Sequence, residues 1–312
     1  METEKNKSNV LAEKNINGRS NGQSGKDSRL EVMKTYKIYV DGKFPRTESG
    51  RYYAMSDTEG HLIANVCRSS RKDFRDAVVA ARKAQPGWAG KSAYNKGQIL
   101  YRIAEMLEGR RPQFVSELVL QGSTIAEANT EIDLSVDRLV YYAGWTDKFQ
   151  QVFSSVNPVE SSHFNFSMAE PMGVVSILSP EEYSLLGLVS TIAPAIAGGN
   201  TVIALASAEK PLCAVTFGEV LNSSDVPGGV VNLLTGYRDE LLVHFASHMD
   251  VNAIVYCGNV KADIQKVKET CSLNVKRAIV YDKTDWMKDN AQNPYRIMDL
   301  QEIKTTWHPV GQ

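Results

Sequence analysis

Two adjacent carboxylates, Glu181 and Glu182, are the side chains best placed for chemistry, in the turn Ser179-Pro180-Glu181-Glu182. The turn follows an apolar run, Val174, Val175, Ile177 and Leu178, that reads as a strand buried on both faces. After it comes a long apolar helix, started by Pro180 and closed by Gly198, Gly199 and Asn200. A second strand over 201–205 completes a βαβ unit. Ligands of doubly wound sheets sit at the carboxyl ends of the strands, so a carboxylate pair in this turn could act as general acid and base. The commoner role of such residues is to cap the first turn of the helix, where they answer its partial positive charge.

Other nucleophiles and ligands are sparse. Cys67, Cys213, Cys257 and Cys271 have no Cys-x-x-Cys spacing and sit in or beside apolar segments, as reduced, buried cysteines do. Cys257 and Cys271 merit weighing as nucleophiles, yet neither has a histidine in adjacent sequence. Of His61, His163, His244, His248 and His308, only His244 and His248 have helical i, i+4 spacing. No Glu occupies the metalloprotease position between them, so they read as a solvated helix end. Trp88, Trp145 and Trp307 read as packing or interface residues.

The elements around these residues follow from pattern. At 312 residues, 43% hydrophobic and 23% charged, the chain can bury one large core or two modest ones. A net charge of -1 and a pI near 6.5 leave no basic excess to displace counterions, which excludes a nucleic-acid binder. No apolar run reaches membrane-span length and the amino end lacks a hydrophobic signal core, so a cytoplasmic protein is expected. Residues 1–33 predict a disordered tail, being polar and without period. Tyr36, Ile38 and Val40 alternate up to an Asp41-Gly42 hairpin turn, and 61–66 is extended. Ser70 should cap a helix that Pro86-Gly87 ends, and helices over 93–108, 112–121 and 125–151 complete a helical block. Phe164, Phe166 and Met168 alternate with polar residues as a half-exposed strand does. From 174 to 281 helices and strands alternate, which predicts an α/β fold built on an open, mostly parallel doubly wound sheet. A polar, turn-rich stretch then leads to a short strand over 302–308 that carries Ile303, Thr305 and Trp307.

Seven segments together give the chain a wider resemblance: KIYVDGKF, AQPGWAG, EPMGVVSILSP, IAPAIAGGNTV, DVPGGVVNLLTG, LVHFASHMDVNAIVYCGN and LNVKRAIV. They are similar to the motifs of the aldehyde dehydrogenase superfamily, from Tyr36 to the end. The opening KTYKIYVDGKFPRTESG and closing EIKTTWHPVG look most like the second, degenerate module of the two-module family 16 aldehyde dehydrogenases. The resemblance implies a Rossmann-like nucleotide-binding domain over 34–285, with an oligomerisation hairpin at 160–171. It also implies a linker and an oligomerisation strand over 286–312. The catalytic domain of the family, with its nucleophilic cysteine, has no counterpart between LNVKRAIV and that strand.

Departures within the motifs point the same way. The family's Pro-Trp-Asn-Phe turn becomes Pro180-Glu181-Glu182-Tyr183, replacing an oxyanion-binding amide by an acceptor; one lost donor of this kind costs about 3 kcal/mol. The general-base glutamate aligns with Tyr281, whose ordinary pKa near 10 makes it a poor base. Leu205 and Ala208 stand where ribose-binding lysine and glutamate would be, and Asn259 and Asp263 replace Ser and Gly of the phosphate turn. No catalytic, cofactor-binding or metal-binding residue is therefore expected, and no tight NAD binding. The expected role is that of a non-catalytic scaffold, assembly or regulatory subunit. Alternatives are a residual nucleotide or small-molecule binding module, and NAD-dependent aldehyde oxidation completed by another chain. Its expected partner is a second copy or a full-length relative, met through edge strands carrying Phe164, Phe166, Ile303 and Trp307.

Overall fold

A computed structural model describes residues 33–57 and 59–311. The expected tail over 1–33, Met33 apart, lies outside the described residues. Strands β1 (Thr35–Tyr36), β2 (Tyr52–Ser56) and β3 (Leu62–Cys67) form a small sheet in the order β1-β3-β2. The Asp41-Gly42 turn forms with both residues at positive φ, 53° and 71°, and Val40 and Lys43 exchange two hydrogen bonds across it. Only that one bridge closes the hairpin, because Tyr39 leaves to pair with Leu233 instead.

Helices α1 (Arg71–Ala89), α2 (Ala93–Gly109), α3 (Arg111–Leu120), α4 (Ile125–Trp145) and α5 (Phe149–Phe153) make the helical block. Ser70 caps α1 as expected, in a capping box closed by the Asp73 carboxylate. Pro86-Gly87 does not end it. Proline there forfeits one backbone bond, and the helix runs on to Ala89, where the Gly90 N–H donates to the Pro86 carbonyl at 3.0 Å. The helix expected over 125–151 is divided between α4 and α5.

Next come β4 (Ser155–Asn157), β5 (His163–Pro171), β6 (Val174–Leu178), α6 (Leu186–Ala197), β7 (Thr201–Leu205), α7 (Leu212–Asn222) and β8 (Val231–Leu234). After them follow α8 (Arg238–Ser247), β9 (Ala253–Cys257), α9 (Lys261–Ser272), β10 (Arg277–Tyr281), α10 (Tyr295–Met298) and β11 (Gln301–Pro309). Five strands form a wholly parallel sheet, order β10-β9-β6-β7-β8. Alternate residues supply its two faces. Val174, Leu178, Ile203 and Ile254 pack with Phe74, Val78, Leu241 and Phe245 of α1 and α8. Val175, Ile177, Val202 and Val255 pack with α6, α7 and the helical block. β6 to β9 are buried along their length, and only β10 is half-buried throughout.

The expected hairpin at 160–171 starts earlier, at β4, and β11 joins it to give a second small sheet in the order β11-β5-β4. The stretch expected as a linker is folded into the core: Trp286, Ala291, Ile297 and Leu300 are all buried. Its anchor is Arg138 of α4, itself 1% exposed. Nη1 donates to Ser190 Oγ at 2.8 Å, and Nη2 to the carbonyls of Trp286 and Lys288 at 2.7 and 3.0 Å. Arg138→Ala strands these acceptors and leaves a void, so it should lower the unfolding free energy by about 3 kcal/mol, read as a fall in the urea midpoint. A loss within 0.5 kcal/mol would show that the guanidinium is not what holds residues 286–300 in place.

Candidate functional site

The parallel sheet changes direction of winding between β6 and β9, which leaves a crevice at their carboxyl ends where ligands of such sheets bind. One side chain fills the space between those strand ends. Arg238, the first residue of α8, donates from Nη1 to the Cys257 carbonyl at 3.0 Å and from Nη2 to the Ser179 carbonyl. Its Nη2 lies 3.2 Å from Glu181 Oε1, and its guanidinium lies over the Tyr256 ring at 5.2 Å. Gly258 has φ 153°, and a Cβ on it would stand 2.9 Å from Arg238 Nη1. Glycine at 258 thus admits the guanidinium. Arg238 carries no motif of its own in the sequence, and its neighbours in this cluster lie far from it along the chain.

Glu181 and Glu182 do not converge. Glu181 accepts from the Ala208 N–H at 2.7 Å and pairs with Arg238, while Glu182 is exposed and contributes its carbonyl to Lys210 Nζ. Nor do they cap a helix, since α6 begins only at Leu186. Residues 179–185 fold back so that Pro180 packs on Gly187, where a Cβ would meet the proline ring at 2.9 Å. The carboxylate that serves α6 comes from Glu131 of α4, whose Oε1 accepts from the N–H groups of Leu185 and Leu186 at 2.8 and 3.0 Å. Burial raises the Glu131 pKa against the pull of those donors.

The aligned family positions are structurally committed. Tyr281 donates to Asp299 Oδ2 at 2.8 Å, and burial, then Asp299, pushes its pKa up. Asp263, in the first turn of α9, accepts from Tyr256 at 3.1 Å. Leu205 is buried in the core under α1 and α8. All four cysteines are free and buried. Burial raises the thiol pKa of Cys213 and Cys271, and lifts that of Cys257 to about 12, so these three are thiols at neutral pH. Among the described residues, no three His, Cys, Asp or Glu side chains are grouped to hold a metal ion, and no helix is long and apolar enough to cross a membrane.

Residues 44–281 match the profile described as "Aldehyde dehydrogenase family". The chain belongs to that family. This aldehyde dehydrogenase family member is 31% identical over 238 residues to mouse retinal dehydrogenase 2, covering 74% of this chain and 45% of the relative. It is 28% identical over 255 residues to mouse cytosolic 10-formyltetrahydrofolate dehydrogenase, covering 80% of this chain and 28% of that one. Among solved structures, PnpE from Pseudomonas sp. WBC-3 superposes with TM-score 0.75 at 26% identity, covering 80% of this chain and 50% of PnpE. The NAD+ complex of an aldehyde dehydrogenase from Bacillus cereus, at 23% identity, has the same TM-score of 0.75 and shares the fold. The chain thus spans half or less of the length of these relatives.

Glu131 also makes a pH prediction for this family member. An acid whose native pKa is raised stabilises the fold fully below its unfolded value, about 4.3, and loses that contribution as pH rises through the native value. Glu131→Gln cannot ionise, so its urea midpoint should gain on the parent's as pH rises from about 4 to 8. A difference that stays constant across that range would contradict the assignment.

Proposed function

We propose that this chain binds no NAD with useful affinity, oxidises no aldehyde by itself, and serves as an assembly or regulatory subunit of the aldehyde dehydrogenase type. The observation that carries this reading is Arg238 in the crevice between β6 and β9, tied to two strand-end carbonyls and to Glu181. A cofactor pyrophosphate needs free N–H groups and open space at this turn. Here the space beside Gly258 holds a guanidinium, and the carboxylates of Glu181 and Asp263 stand near where negative charge would arrive. The residues present do not fit the dinucleotide. Displacing Arg238 would strand two carbonyls, and an anion would face like charge. Tyr281, held by Asp299 with a raised pKa, offers no base in place of the family's glutamate.

Support for an assembly role comes from the β11-β5-β4 sheet. Register places Phe164, Phe166 and Met168 on one face with Val156, around a hollow of about 290 Å³. Trp307 pairs with Asn165 and Ile303 with Ala169, so these two lie on the opposite face. That face is crossed by a polar ladder: Asn157 Nδ2 donates to Ser167 Oγ at 2.9 Å, and Ser167 Oγ meets Thr305 Oγ1 at 2.8 Å. A contiguous apolar face and an unpaired β4 edge are what a second copy, or a full-length relative, would cover.

Millimolar NAD should leave the thermal midpoint unchanged, and a panel of aldehydes with NAD should give no NADH above buffer. A ligand at 100 times its dissociation constant would add about 2.7 kcal/mol of stability, so a clear rise in midpoint would sink the reading. Light scattering after size exclusion should report an oligomer that Phe166→Asp dissociates and Trp307→Asp does not. A parent chain that is monomeric alone and with a full-length relative would remove the assembly role.

A further inference from the structure

At the opposite end of α8 from Arg238, a cavity of about 510 Å³ opens between the first two turns of α1 and the last turns of α8. Its walls carry Arg71, Phe74, Arg75, His244, His248 and Met249. Four basic groups around one cavity of this size are an unusual concentration in a chain of net charge -1. Arg71 pairs with no carboxylate among the described residues, and Arg75 is held by the neighbouring Asp76, Nη2 to Oδ1 at 3.1 Å. His248 is fixed in place: its Nδ1 accepts from the Asp250 N–H at 3.3 Å, and its ring meets the buried Phe74 edge-on, centroids 5.8 Å apart. That bond leaves Nε2 to carry the ring proton.

The surrounding charges settle the sign of the cavity. Carbonyls at the end of α8 would make it negative. Lys276 Nζ answers them, donating to the Ala246 and His248 carbonyls at 2.8 Å each. Asp76 pairs with Arg75 and Asp250 acts on His248, against Arg71, Arg75, Lys276 and the two imidazoles. Burial, then Arg71, holds the His244 pKa below its ordinary value. For His248 burial also leads, Asp250 opposes it, and Lys276 and Arg71 add to it. The two rings are therefore kept neutral near pH 7, in a field that an incoming anion would reverse.

We propose that this cavity binds a phosphomonoester, its anionic head held by Arg71, Arg75, His244 and His248 and its organic part against Val243 and Met249. Arginine forks and imidazole N–H groups suit the oxygens of a phosphate. The cavity is larger than a bare phosphate needs and falls within the range of small-molecule sites. This site lies apart from the crevice at the carboxyl ends of the strands, and does not depend on whether NAD binds there.

The test uses the full chain with glycerol phosphate as probe and inorganic phosphate and sodium chloride, at matched ionic strength, as controls. Imidazole titrations followed by NMR should show the His244 and His248 pKa values rising by about one unit at saturating ester, which is tenfold coupling between protonation and binding. Arg71→Gln removes a charge-assisted contact from an exposed position, so it should weaken ester binding about tenfold and leave the urea midpoint unchanged. Pka values that do not move with ester, or that move equally with chloride, would overturn the site. Equal binding by Arg71→Gln would do the same, and equal affinity for inorganic phosphate would overturn the assignment to an ester.

Discussion

A parallel sheet buried on both faces leaves the chain no wet surface against which to park charge, and that constraint shapes everything packed around it. Residues of β6 to β9 lie entirely inside, so every ionisable group that reaches the layers above and below must find fixed partners. Arg138 meets the demand with a hydroxyl and two carbonyls rather than a counter-ion. Glu131 meets it with two backbone N–H groups. Glu117 of α3 accepts from Tyr36 and Thr216 at 2.9 and 2.8 Å, joining β1 and α7 to the helical block. Each of these long-range polar links fixes an angle or a register that apolar packing alone would leave loose.

Arg238 belongs to the same class of solution, at the point where the sheet changes its direction of winding. In crossing from β6 to β9 it turns a crevice into a joint. The sheet, Gly258 and the helix after it frame a volume that holds a side chain of the protein itself.

Most of the fold was legible in the sequence because its signals are local. Near-continuous apolar runs marked β6 and β7, and Ser70 marked the start of α1. The aldehyde dehydrogenase motifs then fixed the family. What escaped was non-local. Glu131 lies 54 residues before the N–H group it caps, and no pattern in the chain announces it. Pro86 looked like a stop, yet the tertiary packing that buries Trp88 carries the helix through it. Residues 286–300 looked like a linker because their few apolar side chains are spread among polar ones, although burial depends on where those few point. Arg238 was missed for the same reason, its partners being backbone carbonyls that sequence does not distinguish.

The pairing of β5 with β11 has a consequence for how the molecule forms. Ser167 and Thr305, bonded across that ribbon, are 138 residues apart, and the entire parallel sheet lies between them in the chain. Closing a loop of that length from an unstructured chain would cost about 4 kcal/mol in entropy by the logarithmic rule. The ribbon becomes affordable only after the intervening strands and helices have brought its two halves within reach. It is thus the clasp of the fold, among the last contacts to form, and the first place where β11 can come away while the parallel sheet stays whole.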